Sequence, residues 1–159
     1  MNIAELLELQ CVRYEPEASS KKHALDVLAT TLASSSENLK PGVVLEGLVS
    51  RERLGSTALG ESVAMPHARI EGLQRSHGAF LRLGNGVDFE ASDGKAVDLL
   101  FGLLMPQDCS DNEIDDLRQL IEHLRDPILQ EQLRQTDSPA DLYALLTDSL
   151  TAVYRTISI

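Results

Sequence analysis

The sequence has no tryptophan, and aromatic residues fill only 4% of its 159 positions. A core must therefore be built mainly from Leu, Val, Ile and Ala. No apolar run approaches the roughly 20 residues of a membrane span, so membrane insertion is not expected. The opening "MNIAELLELQ" lacks a basic stretch followed by a long apolar one, so no secretory signal is read and a cytoplasmic location is expected. Only two cysteines occur, Cys11 and Cys109, with no C-x-x-C spacing. Free thiols are the expected state rather than a structural disulfide. Positive charge is also scarce. Lys plus Arg number 14 against 25 Asp plus Glu, a net charge of −11. That excludes nucleic acid or an anionic membrane as the main partner, because both repel an acidic surface.

The common enzyme signatures are missing as well. There is no G-x-G-x-x-G, no P-loop, no G-x-S-x-G and no H-E-x-x-H. The four histidines, His23, His67, His77 and His123, do not fall at zinc-site spacings, so no metal is expected.

What remains reads as one globular domain spanning residues 1–159. Ser20 caps a helix through "KKHALDVLATTLA", with Ala24, Leu25, Leu28 and Leu32 on one stripe. Pro41 opens a second helix that stops at Gly55. From Gly60 the texture becomes strand-like. "SVAMPH", "GAFLRLG", "VDFE" and "AVDLLFGLLMP" are short apolar runs bounded by turn residues. The last is apolar nearly throughout, as a central strand buried on both faces would be. Pro66 lacks an N–H, so its strand must end there or lie at an edge. Helices return with the capping-box pattern Ser110…Glu113, then Asp126-Pro127, then Ser138-Pro139. The closing "TAVYRTISI" is mildly β-prone. The expected fold class is α/β: a mixed β-sheet of about four to five strands with helices on both faces.

Charge is unevenly spread along this chain. Residues 106–148 carry three Arg and eleven acids, a balance of −8, whereas residues 51–75 carry four Arg and three acids, a balance of +1. The second segment contains "VAMPHAR". A histidine in a core wall is ordinarily a structural residue, but His67 follows a stiff proline where a strand meets a loop, a place from which ligand groups project. Gly55 and Gly60 flank "STAL" with backbone that can approach an anion closely. Arg53 lies just upstream, and Ser56 and Thr57 bring hydroxyl donors. A neutral imidazole is a good nucleophile, and a phosphoryl group needs donors for the charge on its oxygens. His77 reads as a loop residue at a strand start, and His23 and His123 as solvated helix residues.

The stretch "RERLGSTALGESVAMPHARIEGL" resembles the signature of the enzyme IIA proteins of the bacterial phosphoenolpyruvate-dependent phosphotransferase system, of the mannitol/fructose type. The resemblance extends through "SSKKHAL", "VDFEASDGKAVDLLFGLLMP" and "LYALL", and is nearest to the nitrogen-regulatory branch. It implies an α/β fold, no cofactor, and phosphate accepted on His67 from the histidine phosphocarrier protein of the nitrogen branch. Arg53, Gly55, Ser56 and Thr57 match the family's supporting residues. No fused IIB or membrane domain is expected, which favours a regulatory output over sugar transport. The resemblance then implies nitrogen- or potassium-linked regulatory target proteins, with a monomer or weak dimer as the working state. Two alternatives stay open: a module of the same fold that binds partners without being phosphorylated, and a sugar-branch IIA component passing phosphate to a separate IIB domain. The chain departs from the family pattern at Glu61-Ser62, where an Asn-Gly pair is usual, and at Ala68, where Gly is usual. It also has Glu113 and Asp115 where a second histidine is common.

Overall fold

A computed structural model describes residues 3–108 and 110–157, with side chains at all of these except residues 111, 112, 114 and 149–157. Cys109 lies outside the described residues. The chain runs α1 (Ile3–Leu6), β1 (Leu7–Glu15), α2 (Lys21–Ala33), α3 (Pro41–Arg53), β2 (Ala58–Gly60), β3 (Val63–Ala64), β4 (His67–Ile70), β5 (His77–Val87), β6 (Val97–Pro106), α4 (Asp111–Leu124), α5 (Pro127–Arg134) and α6 (Pro139–Ile157).

The sheet is mixed, in the order β1-β5-β6-β3-β2, with β4 also paired to β6. β6 is its axis. It runs antiparallel to β5 and parallel to β3 and β4, and Leu99 to Leu104 are buried. This is the two-sided burial that its unbroken apolar run calls for. Pro66 acts as expected. The strand breaks around it, into β3 and β4 on the same side of β6, while the Pro66 carbonyl still accepts the Leu103 N–H at 3.0 Å.

Helices cover both faces. α2 and α3 lie on one, where Leu28 sits against Gly102 and Gly47 against Ala68. A Cβ on Gly47 would stand 3.1 Å from that of Ala68, so the missing side chain lets α3 close onto β4. Leu6 and the α5–α6 turn lie on the other face. Leu6 approaches Gly78, and the Arg82 guanidinium donates to the carbonyls of Arg134 (2.8 Å) and Thr136. A cation there satisfies carbonyls left open at the end of α5.

Local signals mark the helix starts. The Ser20 hydroxyl accepts the His23 N–H at 3.0 Å, Pro41 opens α3, the Glu113 carboxylate accepts the Ser110 N–H at 3.1 Å, and Asp126 caps α5 through the Ile128 N–H. Several elements differ from the sequence reading, among them α1 and β2, which the pattern does not announce. β1 is a strand that the pattern does not announce. "VDFE" is not a strand of its own: Val87 closes β5, and Phe89 is a fully buried plug in the loop that follows. The β-prone tail continues α6 as far as Ile157.

Candidate functional site

The Pro66–His67 step sits at the start of β4, on the flank of β6. Strand alternation sorts the residues that follow. Ala68 and Ile70 are buried toward α3, while half-buried His67 and exposed Arg69 take the other side. Ala68 therefore points into the α3 packing and away from the imidazole. The His67 Nδ1 lies 2.9 Å from the Met65 carbonyl oxygen. A carbonyl only accepts, so Nδ1 carries the proton and the lone pair of the neutral ring is on Nε2.

The "GST" loop reaches this step through the backbone. β2 pairs antiparallel with β3, and the Met65 N–H donates to the Thr57 carbonyl at 3.0 Å. Gly55, Ser56 and Thr57 thus lie beside the Met65–His67 turn. The hydroxyls in this loop are occupied. Ser56 Oγ donates to the Phe89 carbonyl at 2.6 Å and accepts the Ala58 N–H at 3.2 Å. The Thr57 hydroxyl donates to Glu52, whose other oxygen accepts the Thr57 N–H at 3.3 Å. In this state both hydroxyls shape the loop. The Ser56 N–H has no partner among the described residues. Gly55 has φ 152°, and the Arg51 guanidinium donates to its carbonyl at 2.9 Å. Arg53 ends α3, exposed and without an ion pair among the described residues.

Gly60 lies further along, at the β2–β3 hairpin. Glu61 and Ser62 form its two-residue turn with φ of 55° and 66°. Positive φ at both positions belongs to a type I′ turn, which is why an Asn-Gly pair is the usual occupant. Here the turn is tied down from outside. Asp93 accepts the Glu61 N–H at 2.9 Å, Lys95 pairs with the Glu61 carboxylate at 3.0 Å, and Arg134 donates to the Glu61 carbonyl at 3.0 Å. The Glu61 charge is therefore partnered by Lys95. Hydrogen bonds from the Lys95 and Glu61 backbone hold the Asp93 carboxyl below its ordinary pKa.

The other histidines stand apart from this site. His77 stands at the expected strand start but is the first residue of β5 rather than a loop residue, and is buried, with Nδ1 3.2 Å from Ser35 Oγ. Burial, aided by Arg75, lowers its pKa. His123 is not the solvated residue its position off the apolar stripe implies. It is half-buried, hydrogen-bonded to the backbone of Leu146 in α6, and its pKa is lowered by burial. His23 is exposed. Cys11 is fully buried and its thiol pKa is raised by burial, so it is an inert core residue. Among the described residues no cluster of His, Cys, Asp or Glu could hold a metal ion, and no helix is long and apolar enough to cross a membrane. Three participants escape the sequence reading. Arg69 could have been found from the two-residue strand period. Glu52 and its partner Lys21 could not, because they meet only in the folded chain.

Comparison with known proteins bears on this arrangement. Residues 5–149 match the family described as "Phosphoenolpyruvate-dependent sugar phosphotransferase system, EIIA 2". The chain is 34% identical over 150 residues to a nitrogen regulatory protein of Escherichia coli, covering 94% of this chain and 91% of that one. It is 37% identical over 129 residues to a nitrogen regulatory protein of Pseudomonas aeruginosa, covering 81% and 84%. In three dimensions it resembles the crystal structure of nitrogen regulatory protein IIA-Ntr from Neisseria meningitidis, with a TM-score of 0.84 and 36% identity over 91% of this chain and 99% of that one. A family match over nearly the whole chain, relatives above 30% identity and a shared mixed-sheet fold lead to one assignment: this chain belongs to the EIIA type 2 family of the phosphotransferase system.

Proposed function

We propose that the protein is a phosphoryl relay in which His67 accepts phosphate through Nε2 from a histidine phosphocarrier protein, with an output that is regulatory. One observation carries the choice of atom: the Nδ1–H donated to the Met65 carbonyl leaves Nε2 as the nucleophile. In the transfer, the Nε2 lone pair forms the new N–P bond as the donor's N–P bond breaks, and that electron pair returns to the donor imidazole. The His67 ring keeps its Nδ1 proton and gains positive charge, which the Met65 carbonyl stabilises as an acceptor. Arg53 and Arg69 bring permanent charge toward the equatorial oxygens, and the Ser56 N–H offers a backbone donor. Gly55 and Gly60 allow the loop its shape, while Ser56 and Thr57 fix it through their hydroxyls. The nitrogen regulatory relatives favour an output in which phosphorylation state changes protein contacts, since the modification adds about −1.5 to −2 charges.

Incubation with phosphoenolpyruvate, enzyme I and the nitrogen-branch phosphocarrier tests this. The expected result is a mass gain of one phosphate that is absent in His67→Ala. The occupied hydroxyls of Ser56 and Thr57 favour a second reading, a docking module that is never phosphorylated. No mass gain with any carrier would establish that reading instead.

A further inference from the structure

Two charged residues stand at the wrong ends of their helices. Lys21 is the first residue of α2, where the helix dipole repels a cation, and Glu52 is in the last turn of α3, where it repels an anion. Neither placement favours its own helix. The two side chains meet at 2.9 Å, largely removed from solvent (18% and 6% exposed), and Lys21 Nζ lies 4.8 Å from the centroid of the buried Phe89 ring. A desolvated pair of this kind is a poor source of stability but a good source of fixed geometry.

That geometry leads to the imidazole. Lys21 holds Glu52; both Glu52 oxygens accept from Thr57, one from its N–H and one from its hydroxyl. The Thr57 carbonyl accepts the Met65 N–H at 3.0 Å, and the Met65 carbonyl accepts His67 Nδ1–H at 2.9 Å. Every link from α2 to the ring is a hydrogen bond or ion pair. We infer that Lys21 and Glu52 are positioning residues that set the orientation and the Nδ1–H tautomer of His67 through Thr57 and Met65. The inference deepens the relay reading and, for its kinetic consequence, rests on it. A ring free to turn or to move its proton to Nε2 presents the nucleophile for only part of the time.

The test uses the full chain with Glu52→Gln, Lys21→Met and Lys21→Arg. Gln keeps the shape but offers one acceptor oxygen where two are used; Met keeps the stem over Phe89 without the charge. Nitrogen-15 NMR of the unphosphorylated protein reads the tautomer of His67 directly. Glu52→Gln and Lys21→Met are expected to lower the Nδ1–H population. They should also lower kcat of phosphorylation by about tenfold to a hundredfold, with KM for the phosphocarrier within about twofold of wild type, since the docking surface is untouched. Lys21→Arg should restore most of both. If Glu52→Gln does not fold, Lys21→Met, which leaves the carboxylate in place, carries the test. Ring-nitrogen signals in the variants that superimpose on wild type would overturn the inference, as would an unchanged kcat. If wild type takes no phosphate at all, the relay reading falls, while the NMR comparison still decides whether the chain of bonds sets the ring.

Discussion

The β2–β3 hairpin makes a sharp energetic claim. Glu61 and Ser62 both hold positive φ, 55° and 66°. A residue with a Cβ pays about 1–2 kcal/mol for that conformation, and glycine does not. Ser62→Gly should remove that strain at one position. Against it stands the greater freedom that glycine gives the unfolded chain, roughly 0.5–1 kcal/mol. Little else is lost. The Ser62 hydroxyl makes no hydrogen bond among the described residues, and its carbonyl, which accepts from Asp98 at 3.1 Å and Leu99 at 3.3 Å, belongs to the backbone and is kept. The expected net effect is a stabilisation of about 0.5–1 kcal/mol, or a Tm rise of about 1–4 °C for a domain of this size. Glu61→Asn with Ser62→Gly should gain somewhat more, because the Lys95 pair that Asn forfeits is exposed and screened by solvent. Calorimetry on the three proteins at one pH and salt concentration measures this. A Tm for Ser62→Gly at or below wild type would refute the argument from left-handed strain and show that the ties from Asp93, Lys95 and Arg134 hold an unstrained turn.

Two further predictions concern charge. Arg53→Ala should slow phosphorylation of His67 more than it lowers stability, with Arg53→Lys milder because an ammonium lacks the planar fork; Arg69→Ala should slow it comparably, and stopped-flow transfer alongside denaturant melts separates rate from stability. For His77 and His123, burial lowers the folded pKa below the ordinary value of 6.5. The unfolded chain then binds more protons than the folded one between the folded pKa and 6.5, so their contribution is complete above pH 6.5 and lost as pH falls through the lowered values. Urea midpoints should therefore drop on acidification below pH 6.5, and His77→Gln should flatten that drop; an unaltered slope would exclude His77 as a contributor.

What the sequence announces and what it hides divide along the range of the interactions. Ser20, Pro41, Ser110 with Glu113, and Asp126 act within three residues of themselves, so their helices are legible. β6 is legible because burial on both faces leaves one continuous apolar run. β1 is not. It alternates irregularly, with a register shift between Leu7 and Val12, and its partner β5 lies some 70 residues away. "VDFE" misleads for a related reason, since one large side chain filling the core from a loop looks locally like half a strand. The same division holds at the site. His67 and the loop at 55–57 stand out by their glycines, proline and local charge, and Arg69 follows from a two-residue period. That the Ser56 and Thr57 hydroxyls face inward depends on Phe89 and Glu52. Thr57 and Glu52 are five residues apart across a helix end, a spacing with no pattern of its own.

On the proposed relay reading, the local charge around His67 offers a physical basis for a regulatory output. Residues 51–75 carry +1 within a chain of −11, so a phosphoryl group on His67, with its roughly two negative charges, does more than enlarge an existing charge. On the relay reading it reverses the sign of the patch, from +1 to roughly −1. Arg53 is exposed there and is followed by Leu54, 84% exposed. On the relay reading, an apolar side chain beside a guanidinium that has no ion pair among the described residues would suit a partner with an acidic, partly apolar surface. Phosphate at His67 would engage the arginines that such a partner needs and repel its carboxylates at the same time. On that reading the hairpin, the Lys21–Glu52 pair and the backbone bonds between them would hold the patch in one shape across the change, so that a partner would read the difference between the two states as charge.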